Sequence, residues 1–280
     1  MIEHVYRHVD GHALKLQVFA PTDDADGRRA SIVFFFGGGF VGGSIEQFHP
    51  HCRYLAARGM VAIAADYRVT SRHGSTPPDS AADGRAALRW VRAHAGQLGI
   101  DPARVAAGGG SAGGGVAACA GLVDEPERID GRVTPSRADA LVLFNPVVVT
   151  ASVDSRDIRP ADRRSLYIER WGRDEIPEIS AYHLADAEAP PTLILHGEDD
   201  AVCPIQTIHL FAAKLRDLGV RCDLAVYPGQ GHGFFNYNRP GRPCFAATLA
   251  EADRFLASLG YLRGEPTVEA WMARTSAGRL

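Results

Sequence analysis

Residues 105–119 read VAAGGGSAGGGVAAC. The apolar start, Val105-Ala106-Ala107, runs into a glycine cluster with Ser111 at its centre, and a small-residue segment suited to a buried helix follows. Strand, sharp turn with a serine at its apex, then helix is the context of a G-x-S-x-G nucleophile elbow. Such a turn forces unusual backbone angles on the serine and brings helix and strand close together. Glycines on both sides remove the side chains that would clash there. The same letters also fit a glycine-rich turn with an idle serine, so the rest of the chain must decide.

Outward from this stretch, compact apolar runs alternate with helical patterns. Residues 3–8 and 13–19 flank Asp10-Gly11, a hairpin signal. Residues 31–36 (SIVFFF), 61–65, 140–144, 192–195 and 223–227 are predicted strands. The first of these is continuously apolar, as expected of a strand covered on both faces. Helices are predicted over 47–58, 79–97, 205–218 and 243–259, with one more in the tail to Leu280. Residues 21–29 read as a polar loop, 99–102 as a turn, and 150–182 as polar, Arg-rich and irregular. This alternation predicts an α/β fold, a mostly parallel central sheet with helices on both faces. In such sheets, functional groups gather at the carboxyl ends of the strands.

The length of 280 residues, with 46% hydrophobic and 22% charged, suits one α/β domain over residues 1–280. A net charge of −3 favours neither nucleic acid nor an anionic membrane surface as a partner. Cys52, Cys119, Cys203, Cys222 and Cys244 are scattered and lack C-x-x-C spacing, which argues against a disulfide framework or zinc site. His49-Pro50-His51 has no third ligand nearby in sequence. No signal peptide and no membrane-spanning run are expected. The expected setting is cytoplasmic, with no metal and no cofactor. Oligomeric state is left open, a homo-oligomer included.

Three further loops follow predicted strands. His196-Gly197-Glu198-Asp199-Asp200 offers a carboxylate that could orient a catalytic imidazole, and its two adjacent aspartates compete for that role. Gly229-Gln230-Gly231-His232-Gly233-Phe234-Phe235 places a histidine among glycines, where it can approach a serine and act as base, then acid. The order Ser, Asp, His along the chain matches the elbow context. Gly37-Gly38-Gly39-Phe40 can aim bare backbone N–H groups at a developing oxyanion, together with the N–H of Ala112. No phosphate-binding glycine pattern is present.

Taken together, FFFGGGFVGGS (34–44), ADYRV (65–69), GIDPARVAAGGGSAGG (99–114), LILHGEDDAVCP (193–204) and GQGHGFF (229–235) resemble the hormone-sensitive-lipase-like esterases of the α/β-hydrolase superfamily. The resemblance covers about residues 30 to 260. It implies Ser111 as nucleophile, His232 as base, Asp200 rather than Asp199 as the acid, and Gly38, Gly39 and Ala112 as oxyanion donors. Where the family usually has a histidine before the three glycines, this chain has Phe36. The family's N-terminal cap is also short here, so any lid must come from about residues 150–182. The variant motifs are similar to those of bacterial esterases that remove acetyl groups from carbohydrates.

The implied activity is hydrolysis of a short-chain, acetyl-type ester of a small molecule through an acyl-enzyme. Acyl transfer, peptide cleavage with the same triad, or ligand binding on a hydrolase fold are the alternatives. Phe40, Gln47, Arg72, His73 and Phe235 are candidate substrate contacts, and Cys203 reads as a small buried filler.

Overall fold

The computed structural model describes residues 1–22, 27–239 and 242–276. Part of the polar loop expected at 21–29, and the last four residues of the tail, lie outside that range. The strands are β1 Ile2–Val9, β2 His12–Phe19, β3 Arg29–Phe35, β4 Val61–Ala65, β5 Ile100–Gly110, β6 Glu127–Ile129, β7 Arg132–Thr134, β8 Ala140–Phe144, β9 Thr192–Gly197 and β10 Cys222–Tyr227. Eight of them form one sheet in the order β1-β2-β4-β3-β5-β8-β9-β10, and β6-β7 pair separately. β1, β2 and β4 are antiparallel neighbours, and every pairing from β4 to β10 is parallel.

The period of two within a buried strand explains the layering. On β3, Val33 and Phe35 join one core, while Ile32 and Phe34 join the core on the opposite face. Helices Pro77–Ala93, Ala112–Leu122 and Ile205–Asp217 cover the first face; His49–Ala57, Pro243–Ser258 and Val268–Ser276 cover the second. Ala112–Leu122 is buried along its whole length, as its apolar composition on every side demands. Pro77–Ala93 begins at a Thr76/Asp79 capping box, two residues before the predicted start.

Several expectations are corrected. The turn expected at 99–102 is the start of β5, because Ile100 pairs with Arg29 across a register shift. β9 continues through His196 and Gly197, since β10 runs beside it to that level. The helix expected from 47 begins instead as a short 3₁₀ turn, Ile45–Phe48. The β6-β7 hairpin was not anticipated, although its Asp130-Gly131 turn is a hairpin signal. Residues 150–182, read as irregular, contain the helix Ala161–Trp171, of which only Tyr167 is buried. Among the described residues, no helix is long and apolar enough to cross a membrane.

Candidate active site

Ser111 joins β5 to the helix Ala112–Leu122 with φ 55° and ψ −121°, backbone angles that a serine holds only under constraint. The constraint is close packing. A Cβ at Gly113 would lie 2.2 Å from the carbonyl oxygens of both Phe35 and Phe36, so only glycine lets the helix leave at this angle. The Ser111 N–H donates to the Phe144 carbonyl at 3.0 Å, which ties the elbow to β8.

His232 reaches the serine from the loop after β10. Its Nε2 lies 2.8 Å from Ser111 Oγ, and its Nδ1 lies 2.7 Å from Asp200 Oδ2. A carboxylate can only accept, so Nδ1 carries the proton and Nε2 accepts from the serine hydroxyl. Of the competing acids, Asp199 is exposed while Asp200 is buried, and Asp200 alone meets the imidazole.

Burial pushes the Asp200 carboxyl up. Hydrogen bonds from His232 and the Cys203 N–H, with the two nearby imidazoles, outweigh that and hold it below the ordinary carboxylate range. Its Oδ1 accepts from the Val202 and Cys203 N–H groups at 2.8 Å each. Buried His196 donates from Nε2 to the Cys203 carbonyl at 2.8 Å and so braces the same turn. Burial drives the Cys203 thiol far up, so it remains an unreactive thiol.

The glycine loop after β3 is held from several sides. Tyr67 donates its hydroxyl to the Phe36 carbonyl at 2.6 Å, and the two rings stack at 4.3 Å. The Gly37 N–H donates to Gln47 Oε1 at 2.6 Å. Gly38 adopts φ 145°, and a Cβ there would collide with the Gly42 carbonyl at 2.1 Å. Among the described residues, the N–H groups of Gly38, Gly39 and Ala112 make no hydrogen bond, and all three residues adjoin the serine turn.

Two cavities meet at Ser111. A small one, about 40 Å³, is walled by Phe40, Val147, Val148, Val149 and Tyr167. A cleft of about 450 Å³ opens on the His232 side, past Gln47, Asn145, Phe235 and Asn236. Phe40, Gln47 and Phe235 therefore border the site. Arg72 and His73, expected as substrate contacts, border neither cavity. They sit on the short turn Thr70–His73, where Arg72 forks onto Asp66 and lies over the Phe36 ring, while His73 Nδ1 accepts from the Val69 N–H. His49 and His51, the superficial metal pair, have separate surroundings: His49 meets Gln17, and His51 is buried among phenylalanines.

The sequence model for the alpha/beta hydrolase fold matches residues 32–236. The chain belongs to the alpha/beta hydrolase fold family. Solved structures similar to this alpha/beta hydrolase include a thermophilic esterase of Thermogutta terrifontis, Est2, with propionate bound. It is 43% identical, covers 94% of this chain and 96% of its own, and superposes with a TM-score of 0.84. The same esterase phosphonylated by sarin gives a TM-score of 0.86 at 43% identity, with the same 94% and 96% coverage. Carboxylesterase NlhH of Mycobacterium tuberculosis is 38% identical over 74% of this chain and 66% of its own length. Esterase LipC of the same organism is 30% identical over 80% of this chain and 58% of its own length. This alpha/beta hydrolase thus spans less than two thirds of that relative.

Four groups around the site had no role in the sequence reading. Asn145, which directly follows β8, accepts from the Gly233 N–H at 3.1 Å and positions the turn beside His232. The strand-end rule that singled out Asp200 could have found it. Asn236 bonds Gln47 at 2.8 Å and the Gly233 carbonyl at 2.9 Å. Tyr67 anchors Phe36, and Arg163 of the Ala161–Trp171 helix borders both cavities. Tyr67 lies in ADYRV just after β4, where the same rule applies; for Asn236 and Arg163 no local sequence signal exists.

Proposed function

We propose that this member of the alpha/beta hydrolase fold family is a serine carboxylesterase acting on short-chain esters, with Ser111, His232 and Asp200 as its triad. The observation that carries the proposal is the relay from Asp200 through His232 to Ser111, at 2.7 and 2.8 Å. Its members sit on three separate loops at strand ends, an arrangement that packing alone does not require. Relatives and structural neighbours named as esterases support the same reading.

In this reading Ser111 Oγ attacks the ester carbonyl as His232 Nε2 takes its proton. The imidazolium is stabilised by the Asp200 carboxylate. Negative charge builds on the carbonyl oxygen, toward the N–H groups of Gly38, Gly39 and Ala112; each such donor is worth about 10²–10³ in rate. His232 then protonates the leaving alkoxide, which leaves an acyl group on Ser111. Water, deprotonated by His232, attacks that acyl-enzyme, and the acid departs as the proton returns to Oγ.

The cavity volumes support one orientation. The 40 Å³ cavity takes an acetyl- or propionyl-sized acyl group, and the 450 Å³ cleft takes the alcohol. The propionate bound to the Thermogutta esterase fits a short acyl group. Gln47, Asn145 and Asn236 around the cleft suit a polar alcohol, a sugar among the candidates. The helix Ala161–Trp171 acts as a short cap, pinned by the Trp171 indole N–H to Thr70 Oγ1 at 3.1 Å. Hydrolysis of p-nitrophenyl acetate by the wild-type chain and its loss to background in Ser111→Ala is the expected result. Full activity in that variant would overturn the mechanism.

A further inference from the structure

The cap over Ser111 carries a cation that the mechanism above does not use. The helix Ala161–Trp171 presents Arg163 to both the acyl cavity and the alcohol cleft. Arg159 also borders the acyl cavity, but its side chain is only 3% exposed and is fully engaged. It forks onto Asp157 at 2.8 and 2.7 Å and donates to the carbonyls of Thr150 and Asp174 at 2.8 and 2.6 Å. Arg163 differs on each count. Its guanidinium makes no hydrogen bond to any described residue, and its Nε is buried without a partner. Its one neighbouring acid, Asp162, stands 3.8 Å from Nε on a side chain that is 70% exposed, so solvent screens the pair.

Charge around the site is one-sided. Among the described residues that border the two cavities there is no aspartate or glutamate. Asp200 lies behind His232, with both its oxygens already accepting hydrogen bonds. A partly buried guanidinium without a hydrogen-bonded acid, at the edge of a cleft with neutral polar walls, is built to receive an anion.

We propose that Arg163 forms an anion subsite, and that the ester this site prefers carries a carboxylate on its alcohol part. The proposal rests on the esterase reading above and adds a substrate class to it. Of the two spaces that Arg163 borders, the cleft of about 450 Å³ offers more room for a charged extension than the acyl cavity of about 40 Å³. A carboxylate suits the site better than a phosphate dianion. One guanidinium matches the charge and planar fork of a carboxylate, and Arg163 has no second free cation beside it on the cavity walls.

The test compares 4-acetoxybenzoate with its neutral methyl ester, which share the acetyl group and the aryl frame. Wild-type, Arg163→Gln and Arg163→Lys proteins are assayed for kcat/KM on both. In Arg163→Gln, the anionic-to-neutral ratio is expected to fall by about tenfold, with Arg163→Lys in between because a point charge replaces the fork. A ratio unchanged in Arg163→Gln while the methyl ester is still hydrolysed overturns the subsite and leaves the esterase reading intact. An equal loss on both esters also overturns the subsite. Failure of the folded wild-type protein to hydrolyse either ester overturns both readings.

Discussion

Gln47 accepts the Gly37 N–H at 2.6 Å and donates to Asn236 at 2.8 Å, although 189 residues separate the two ends of that second bond. The chain of bonds continues. Asn236 donates to the Gly233 carbonyl, and the Gly233 N–H donates to Asn145. One side chain thus ties the glycine loop to the loop that carries His232. The resemblance puts a histidine directly before the three glycines. Phe36, which occupies that position, packs inward on Tyr67 and leaves the polar work to Gln47. Gln47→Ala should therefore lower kcat on p-nitrophenyl acetate by about tenfold or more while KM changes little, because donor placement matters most in the transition state. Gln47→Glu keeps an acceptor for Gly37 and should recover part of the loss. Unchanged kcat in Gln47→Ala would show that the loop needs no tether.

The two aspartates should separate cleanly. Asp200→Asn removes the acceptor that holds His232 in the Nδ1–H tautomer, and a loss of about 10⁴ in kcat is expected, as for other triads. Asp199→Asn alters an exposed group and should stay within about threefold of wild type. Steady-state kinetics on one ester distinguishes them.

Gly113→Ala should be among the most damaging single substitutions. The added methyl would meet two backbone carbonyls at 2.2 Å, and backbone cannot move as a flexible side chain can. A loss of about 3 kcal/mol or more in urea unfolding is expected, with activity falling alongside. Wild-type stability in this variant would mean that the elbow packs less tightly than described.

Acid should weaken the fold through His51. The ring is fully buried among Phe34, Phe48, Phe144 and Phe245 with neither nitrogen hydrogen-bonded, and burial pushes its pKa down to about 3. The unfolded chain protonates this residue near pH 6.5, so between about pH 6.5 and 3 the unfolded state holds the extra proton. Stability is then complete above about pH 6.5 and falls by up to about 1.4 kcal/mol per pH unit below it. Buried His196, whose pKa burial also lowers, adds in the same direction. His51→Leu should flatten the dependence of the urea midpoint on pH between 4 and 6 by about one proton's worth. An unaltered slope would exclude His51 as the source.

Much of the frame was legible because it is written locally. Val61–Ala65 and Ala140–Phe144 are apolar runs closed by the polar residues Asp66 and Asn145, and both strands end where expected. Ser111, His232 and the acidic loop were marked by the glycines that their turns need. Other features were hidden for physical reasons. The helix Ala161–Trp171 buries a single residue and is polar along most of its length, so it reads as surface loop. β9 runs on through His196 to Gly197; His196 is a polar residue buried where it braces the Asp200 turn, and polarity there reads as loop. The choice of Asp200 over Asp199 rested on resemblance until burial and the bond to His232 separated them. The Gln47–Asn236 tether and the Arg163 position are tertiary relationships, and neither has a pattern in the neighbouring residues. Arg72 and His73 lie after a strand end, as functional groups do. Yet Asp66 and the Val69 backbone engage them away from the cavities.

The central claim is that Ser111 is an activated nucleophile. The most direct measurement is peptide-level mass spectrometry of the intact chain after treatment with a fluorophosphonate probe. Stoichiometric labelling at Ser111 is predicted, abolished in Ser111→Ala and slowed by orders of magnitude in His232→Ala. Absence of the adduct from the folded wild-type protein, or an adduct on another residue with Ser111 unmodified, would contradict the account.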